Sequence, residues 1–103
     1  MADRGTRLVS IPRQSEAGFL QTVREAAKVL GWETYHTHDS RRSEPGFPDL
    51  VLVRERIIYA ELKTDTGRVR LDQQRWIYKL EKAGAEVYLW RPSQWAEIER
   101  VLG

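Results

Sequence analysis

Apolar and polar positions divide the chain into seven ordered stretches. From Glu16 onward, apolar residues fall at Phe19, Leu20, Val23, Ala26, Ala27 and Leu30, the spacing of one helical face. Ser15 can accept a backbone N–H in front of that helix, Glu16 suits its positive end, and Gly31 stands where such helices stop. The period then changes. Trp32 to His38 is aromatic and threonine-rich and predicts a strand. Asp39 to Pro48, with Pro45, Gly46, Pro48 and the run Ser40-Arg41-Arg42-Ser43, reads as a loop. Asp49 to Arg54 and Ile57 to Lys63 are nearly continuous apolar runs, which predicts two strands covered on both faces. After a polar turn over 64–70, Asp72 is placed to cap a second helix with Trp76, Ile77, Leu80 and Ala83 as its core stripe and Gly84 as its end. Val87 to Trp90 is a fourth strand, cut off by Pro92. Ser93 is placed to cap a last helix with Trp95, Ile98, Val101 and Leu102 inward. The order is α-β-β-β-α-β-α, an α/β domain whose fourth strand, reached by a right-handed crossover, lies parallel to its neighbour.

Composition narrows the classes. At 103 residues the chain is read as one domain over 15–103, preceded by a basic arm over 1–14 that carries Arg4, Arg7 and Arg13. There are no cysteines, which excludes disulfides, thiolate zinc sites and a cysteine nucleophile. No apolar run reaches membrane-spanning length and no apolar signal core follows the N-terminus, so a cytoplasmic protein without a membrane partner is expected. The net charge of +2 permits nucleic-acid binding without arguing for it. The cations are mostly arginine, which suits bidentate contacts with phosphate.

The chemistry gathers where the second and third strands meet. Strand side chains alternate between faces, so Glu61 and Lys63 point the same way, and Asp49 enters beside them if the two strands pair. Two carboxylates and an ammonium on one sheet face make a site for a divalent cation and an attacking water. Lys63 serves either as a base or as a stabiliser of transition-state charge. The register sets a condition. A two-residue turn at Glu55-Arg56 would pair Leu50 with Glu61 and send Asp49 to the opposite face. A shared site needs an odd connection, such as Arg54-Glu55-Arg56, or a bulge. Arg41, Arg42 and Arg68 flank these strands on loops and are read as phosphate contacts that position DNA without reading its sequence.

Pro48-Asp49 followed by Glu61-Leu62-Lys63 resembles the PD-(D/E)xK nuclease motif. The run from His36 through Gly46-Phe47-Pro48-Asp49-Leu50 resembles a narrower family within it, the VRR-NUC (virus-type replication-repair nuclease) domains, over roughly residues 14–95. The resemblance implies a restriction-endonuclease-like αβββαβ core with a mixed sheet flanked by helices, here followed by an extra C-terminal helix. It implies Mg²⁺ or Mn²⁺ held by Asp49, Glu61 and the Leu62 carbonyl, with Glu16 completing the acidic cluster. It also implies a glutamine early in the second helix. Gln73, in Gln73-Gln74-Arg75-Trp76, fits the family spacing, with Gln74 as the rival, and its amide would orient the water or hold Lys63. His36 matches a family histidine near the DNA. His36-Thr37-His38 alone would need further ligands to bind zinc.

The function expected from the resemblance is a metal-dependent DNA endonuclease of the small, phage type, selective for branched DNA and similar to Holliday-junction resolvases. The alternative is a catalytically idle DNA-binding module of the same fold. Paired nicks in a four-way junction call for two sites related by a two-fold axis, hence a homodimer. The large aromatics Trp32, Trp76, Trp90, Trp95, Tyr35, Tyr59, Tyr78 and Tyr88 add a second reason, since they exceed what so small a core easily buries.

Overall fold

In the computed structural model, residues 14–37 and 43–103 are described. The arm up to Arg13, and His38, Arg41 and Arg42 of the loop, lie outside the described residues. The elements are α1 (Glu16–Val29), β1 (Glu33–His36), β2 (Leu50–Val53), β3 (Ile57–Leu62), α2 (Leu71–Lys82), β4 (Glu86–Trp90) and α3 (Trp95–Leu102), with a 3₁₀ turn over Pro92–Gln94 ahead of α3. They follow the order read from the sequence. The sheet runs β1-β2-β3-β4. The first two pairings are antiparallel and β3 pairs with β4 in parallel, the result expected of a crossover through α2.

One face of the sheet is closed. Leu50, Leu52, Ile58, Ala60, Leu62 and Trp90 share it and are buried with Phe19, Val23 and Ala27 of α1 and Ile98 and Leu102 of α3. Alternation then sends Val51, Val53, Ile57, Tyr59 and Glu61 to the other face. That face is only partly covered, which corrects the expectation of cover on both sides. α2 packs against β4, and Phe47 bridges Tyr59 and Trp76 edge-on, with ring centroids 6.0 and 5.0 Å away. Toward the β1 side Tyr35, Val53 and Ile57 stay 60%, 43% and 50% exposed. The stripe of α2 is correspondingly half-buried at Trp76, Ile77 and Leu80, and Ala83 is exposed. Of the expected surplus of aromatics, Trp32 and Trp90 are buried and Tyr35 and Tyr78 are exposed.

The caps explain where the helices begin. Ser15 Oγ accepts the Gly18 N–H at 3.0 Å, as its position predicts. Asp72 is not the N-cap of α2, although its Oδ1 takes the Gln73 N–H at 2.9 Å. The N-cap is Arg70, whose side chain has no oxygen to offer, and Asp72 lies inside the first turn. Gln73 supplies half of a capping box by taking the Arg70 N–H on Oε1 at 2.9 Å. Ser93 likewise falls inside the 3₁₀ turn rather than at a cap, and its N–H goes to Asp65 Oδ1 at 2.9 Å. Pro92 at the head of that turn starts it early, since its fixed φ suits a first helical position.

The β2–β3 connection is Arg54-Glu55-Arg56, between the closing pair Val53–Ile57. Arg54 reaches the ends of two helices, donating to the carbonyls of Leu30 at 2.9 Å, Leu102 at 3.1 Å and Gly103 at 3.2 Å. Arg56 donates to Val101 O at 2.9 Å. Both guanidinium groups lie near the Trp32 ring, 4.5 and 5.3 Å from its centroid, and the indole N–H of Trp32 donates to Leu102 O at 2.9 Å.

Candidate active site

The odd hairpin connection settles which face Asp49 takes. With Leu50 opposite Ala60, the next antiparallel pair outward is Asp49 with Glu61, on one face. The Asp49 backbone is fixed first. Its carbonyl accepts the Thr37 N–H at 2.9 Å, extending the β1–β2 ladder, and Thr37 Oγ1 donates to Pro48 O at 2.7 Å. Its carboxylate Oδ2 accepts the Leu62 N–H at 2.9 Å. Asp49 is thereby held by strands on both sides, and its carboxylate terminates the β2–β3 ladder.

Gly46 sets the approach of this loop to α2. It has φ +90°, and a Cβ there would lie 2.6 Å from the backbone C and O of Asp72. Only glycine gives both that conformation and that contact. The Phe47 ring fills the space behind it against Trp76.

Glu61 is fully buried, and so nearly are Lys63 (7% exposed) and Gln73 (6%). Gln73 Nε2 donates to Glu61 Oε2 at 2.7 Å. Because its Oε1 takes the Arg70 N–H, the amide orientation is fixed at both ends. Gln74, by contrast, is exposed and donates to Val69 O. Glu61 Oε1 is buried without a hydrogen-bond partner. Burial, then the Asp49 charge, push the Glu61 carboxyl up to about 8, against the opposing pull of Lys63. Glu16, in the first turn of α1, completes the cluster. One carboxylate oxygen each from Glu16, Asp49 and Glu61 lie within 4.8 Å of one another.

These residues border a cavity of about 300 Å³ lined by Glu16, Asp49, Lys63 and Gln73, with His36, Glu44, Phe47 and Arg70 around them. His36, at the end of β1, is exposed on that rim. Arg68 is exposed on the 64–70 turn and does not line the cavity. Sequence reasoning passed over Arg70, which does. Its signal was an arginine where a helix start favours Ser, Thr, Asp or Asn.

The donor set fits a divalent cation. Three carboxylates converge, all hard oxygen ligands, and one oxygen of the buried member has no other partner. A buried, unpaired carboxylate is costly, and a cation is the species that would satisfy it.

A four-stranded mixed sheet flanked by helices, with Asp49 leading into one strand and Glu61-Leu62-Lys63 closing the next, is the frame of a PD-(D/E)xK nuclease. A family model described as the VRR-NUC domain matches residues 7–94, and the chain belongs to that family of nuclease domains. Two solved structures are similar in fold. One, a "VRR_NUC domain", has a TM-score of 0.68 at 23% identity, covering 84% of this chain and 92% of that one. The other, a "VRR_NUC domain protein", has a TM-score of 0.71 at 17% identity, covering 87% and 91%. A comparison with curated proteins returns no match. Among the described residues no helix is long and apolar enough to cross a membrane.

Proposed function

We propose that the chain is a Mg²⁺- or Mn²⁺-dependent DNA endonuclease that hydrolyses phosphodiester bonds in branched DNA and works as a homodimer. The observation that carries the reading is the convergence of Glu16, Asp49 and Glu61 within 4.8 Å beside the buried Lys63. Asp49 and Glu61 are the principal ligands, with Glu16 and the Leu62 carbonyl completing the set. When bound, the cation supplies charge against the phosphate oxygens and makes a water easier to deprotonate.

The remaining work falls to the chain. Gln73 holds Glu61 in one orientation, so the carboxylate need not reorganise when substrate arrives. Lys63 lies on the same face as Glu61, two residues on, and from there accepts the water's proton or stays charged against the transition state. His36 at the rim and Arg68 on the 64–70 turn, with Arg41 and Arg42, meet DNA phosphates. Two nicks in opposed strands of a junction require two such sites, which a two-fold axis provides. The exposed Tyr35, Val53 and Ile57 on the open sheet face supply apolar surface for such a contact.

The test is a panel of linear, flap and four-way DNA incubated with Mg²⁺, Mn²⁺ or EDTA. Cleavage of the four-way substrate only with metal, abolished in Asp49→Asn and Lys63→Ala while DNA binding persists, is the expected result. Binding in EDTA with no cleavage under any metal would instead identify an idle DNA-binding module. Light scattering at micromolar concentration should give twice the chain mass. A monomer that still resolves junctions would remove the paired-nick arrangement.

A further inference from the structure

We propose that Arg70 is a substrate-phosphate clamp at the rim of the active site, gripping a backbone phosphate next to the one that is cut. The inference rests on the nuclease reading above.

Its first support is that the Arg70 side chain supplies no cap to the helix it begins. Arg70 is the N-cap of α2, with extended backbone at φ −74° and ψ 161°, a position where a short oxygen-bearing side chain stabilises the first turn. Arginine has only donors. The capping is done by others: Asp72 Oδ1 takes the Gln73 N–H at 2.9 Å, and Gln73 Oε1 takes the Arg70 N–H. A serine at position 70 would cap better, so stability does not account for the arginine.

The second support is placement. The Arg70 side chain lines the same cavity as Glu16, Asp49 and Lys63. It is tethered by one atom, Nε to Asp72 Oδ1 at 3.2 Å, and is 56% exposed. Among the described residues, its two terminal nitrogens have no hydrogen-bond partner. A guanidinium held at Nε presents those nitrogens as a fork suited to two oxygens of one phosphate.

The third support is charge. DNA that brings a phosphate to the acidic cluster of Glu16, Asp49 and Glu61 is repelled by its ionised members before any cation is counted. Lys63 is buried and serves the interior of the cavity. Arg70 stands on its exposed rim, where the neighbouring phosphate of a continuous backbone must pass.

The test compares wild type, Arg70→Ser and Arg70→Lys. Binding of a four-way DNA is measured in Ca²⁺ at several salt concentrations, and cleavage kinetics in Mg²⁺. Arg70→Ser should bind about tenfold more weakly, with a salt slope reduced by about one ion. Its KM should rise while kcat stays near wild type, and its Tm should hold or increase because serine can cap α2. Arg70→Lys should recover part of the binding, keeping the charge and losing the fork. Wild-type affinity and salt slope in Arg70→Ser, beside an active wild type, would overturn the clamp and leave the nuclease reading standing. A loss of kcat at unchanged KM would also overturn it. A wild type that neither binds nor cuts DNA would overturn both.

Discussion

Glu61→Gln should make the metal-free protein more stable, and the gain should depend on pH. The Glu61 carboxyl is raised from an ordinary 4.5 to about 8 in the folded state, by burial first and by the Asp49 charge second. The folded protein therefore binds this proton more tightly than the unfolded chain. Stability from this group is whole below about pH 4.5 and is lost as pH rises toward 8. Between pH 5.5 and 7.5 the linkage amounts to about 2–3 kcal/mol. That is a large part of the stability of a domain of this size, equivalent to roughly 10–20 °C in Tm. Glutamine reproduces the protonated state. Its oxygen can still accept from Gln73 Nε2, and its NH₂ can face Asp49 where the acid's proton would lie.

Urea denaturation in EDTA at the two pH values measures the effect. The advantage of Glu61→Gln over wild type should be small at pH 5.5 and grow by about 2–3 kcal/mol at pH 7.5. Mg²⁺ or Mn²⁺ should then raise the wild type more than the variant at pH 7.5, because the cation satisfies a charge that glutamine lacks. An advantage that is the same at both pH values would refute the argument, since it would mean that Glu61 is not held protonated by its surroundings.

Gln73→Ala should cost about 1–3 kcal/mol, because it orphans the Arg70 N–H and leaves buried Glu61 Oε2 unpaired. Gln74→Ala, at an exposed position, should stay within about 0.5 kcal/mol, and equal losses at both sites in thermal denaturation would show that the Gln73 bridge is not made. Gly46→Ala should destabilise by about 2–4 kcal/mol and lower activity, since both its φ of +90° and the 2.6 Å approach to Asp72 exclude a side chain; a Tm within a degree of wild type would show that this contact is not formed.

Much of the fold was legible because each period had one dominant cause. The Phe19, Val23, Ala27 series is a helix stripe that needs a partner, and the strand residues Leu50, Leu52, Ile58 and Ala60 provide it. The apolar runs of β2 and β3 misled in one respect. A continuous run says that neither face is strongly polar, but whether a face is covered depends on where a helix lies over it. α2 lies toward β4, so Val53 and Ile57 stay half-exposed at the far side. The caps of α2 and α3 were misplaced because glutamines one residue further on, Gln73 and Gln94, take the N–H groups of Arg70 and Arg91 in place of the expected Asp72 and Ser93 caps. Asp49, Glu61 and Lys63 stood out as candidate chemistry because charged side chains beside or within apolar strands have no packing reason to be there. Arg70 did not stand out, since an arginine in a polar turn is ordinary until the turn is known to border the acids.

The register of the hairpin ties the site to the opposite end of the molecule. Asp49 and Glu61 share a face only while Val53 pairs with Ile57 around a three-residue connection. Removing one residue from that connection would slip one strand against the other and turn Asp49 away from Glu61. What holds the connection is Arg54 and Arg56, gripping the carbonyls at the ends of α1 and α3 and lying over Trp32. This cluster begins five residues along the strand from Asp49, roughly 17 Å away. It touches none of the cavity residues, yet it fixes the alternation that brings the two carboxylates together. The site also opposes folding, because Glu61 is buried beside Asp49 at a pH where both would ionise in water. The apolar contacts of α1 and α3 with the closed sheet face must offset that cost. Anchoring the hairpin at the core end, away from the repelling charges, lets the strands hold a register that the carboxylates alone would push apart.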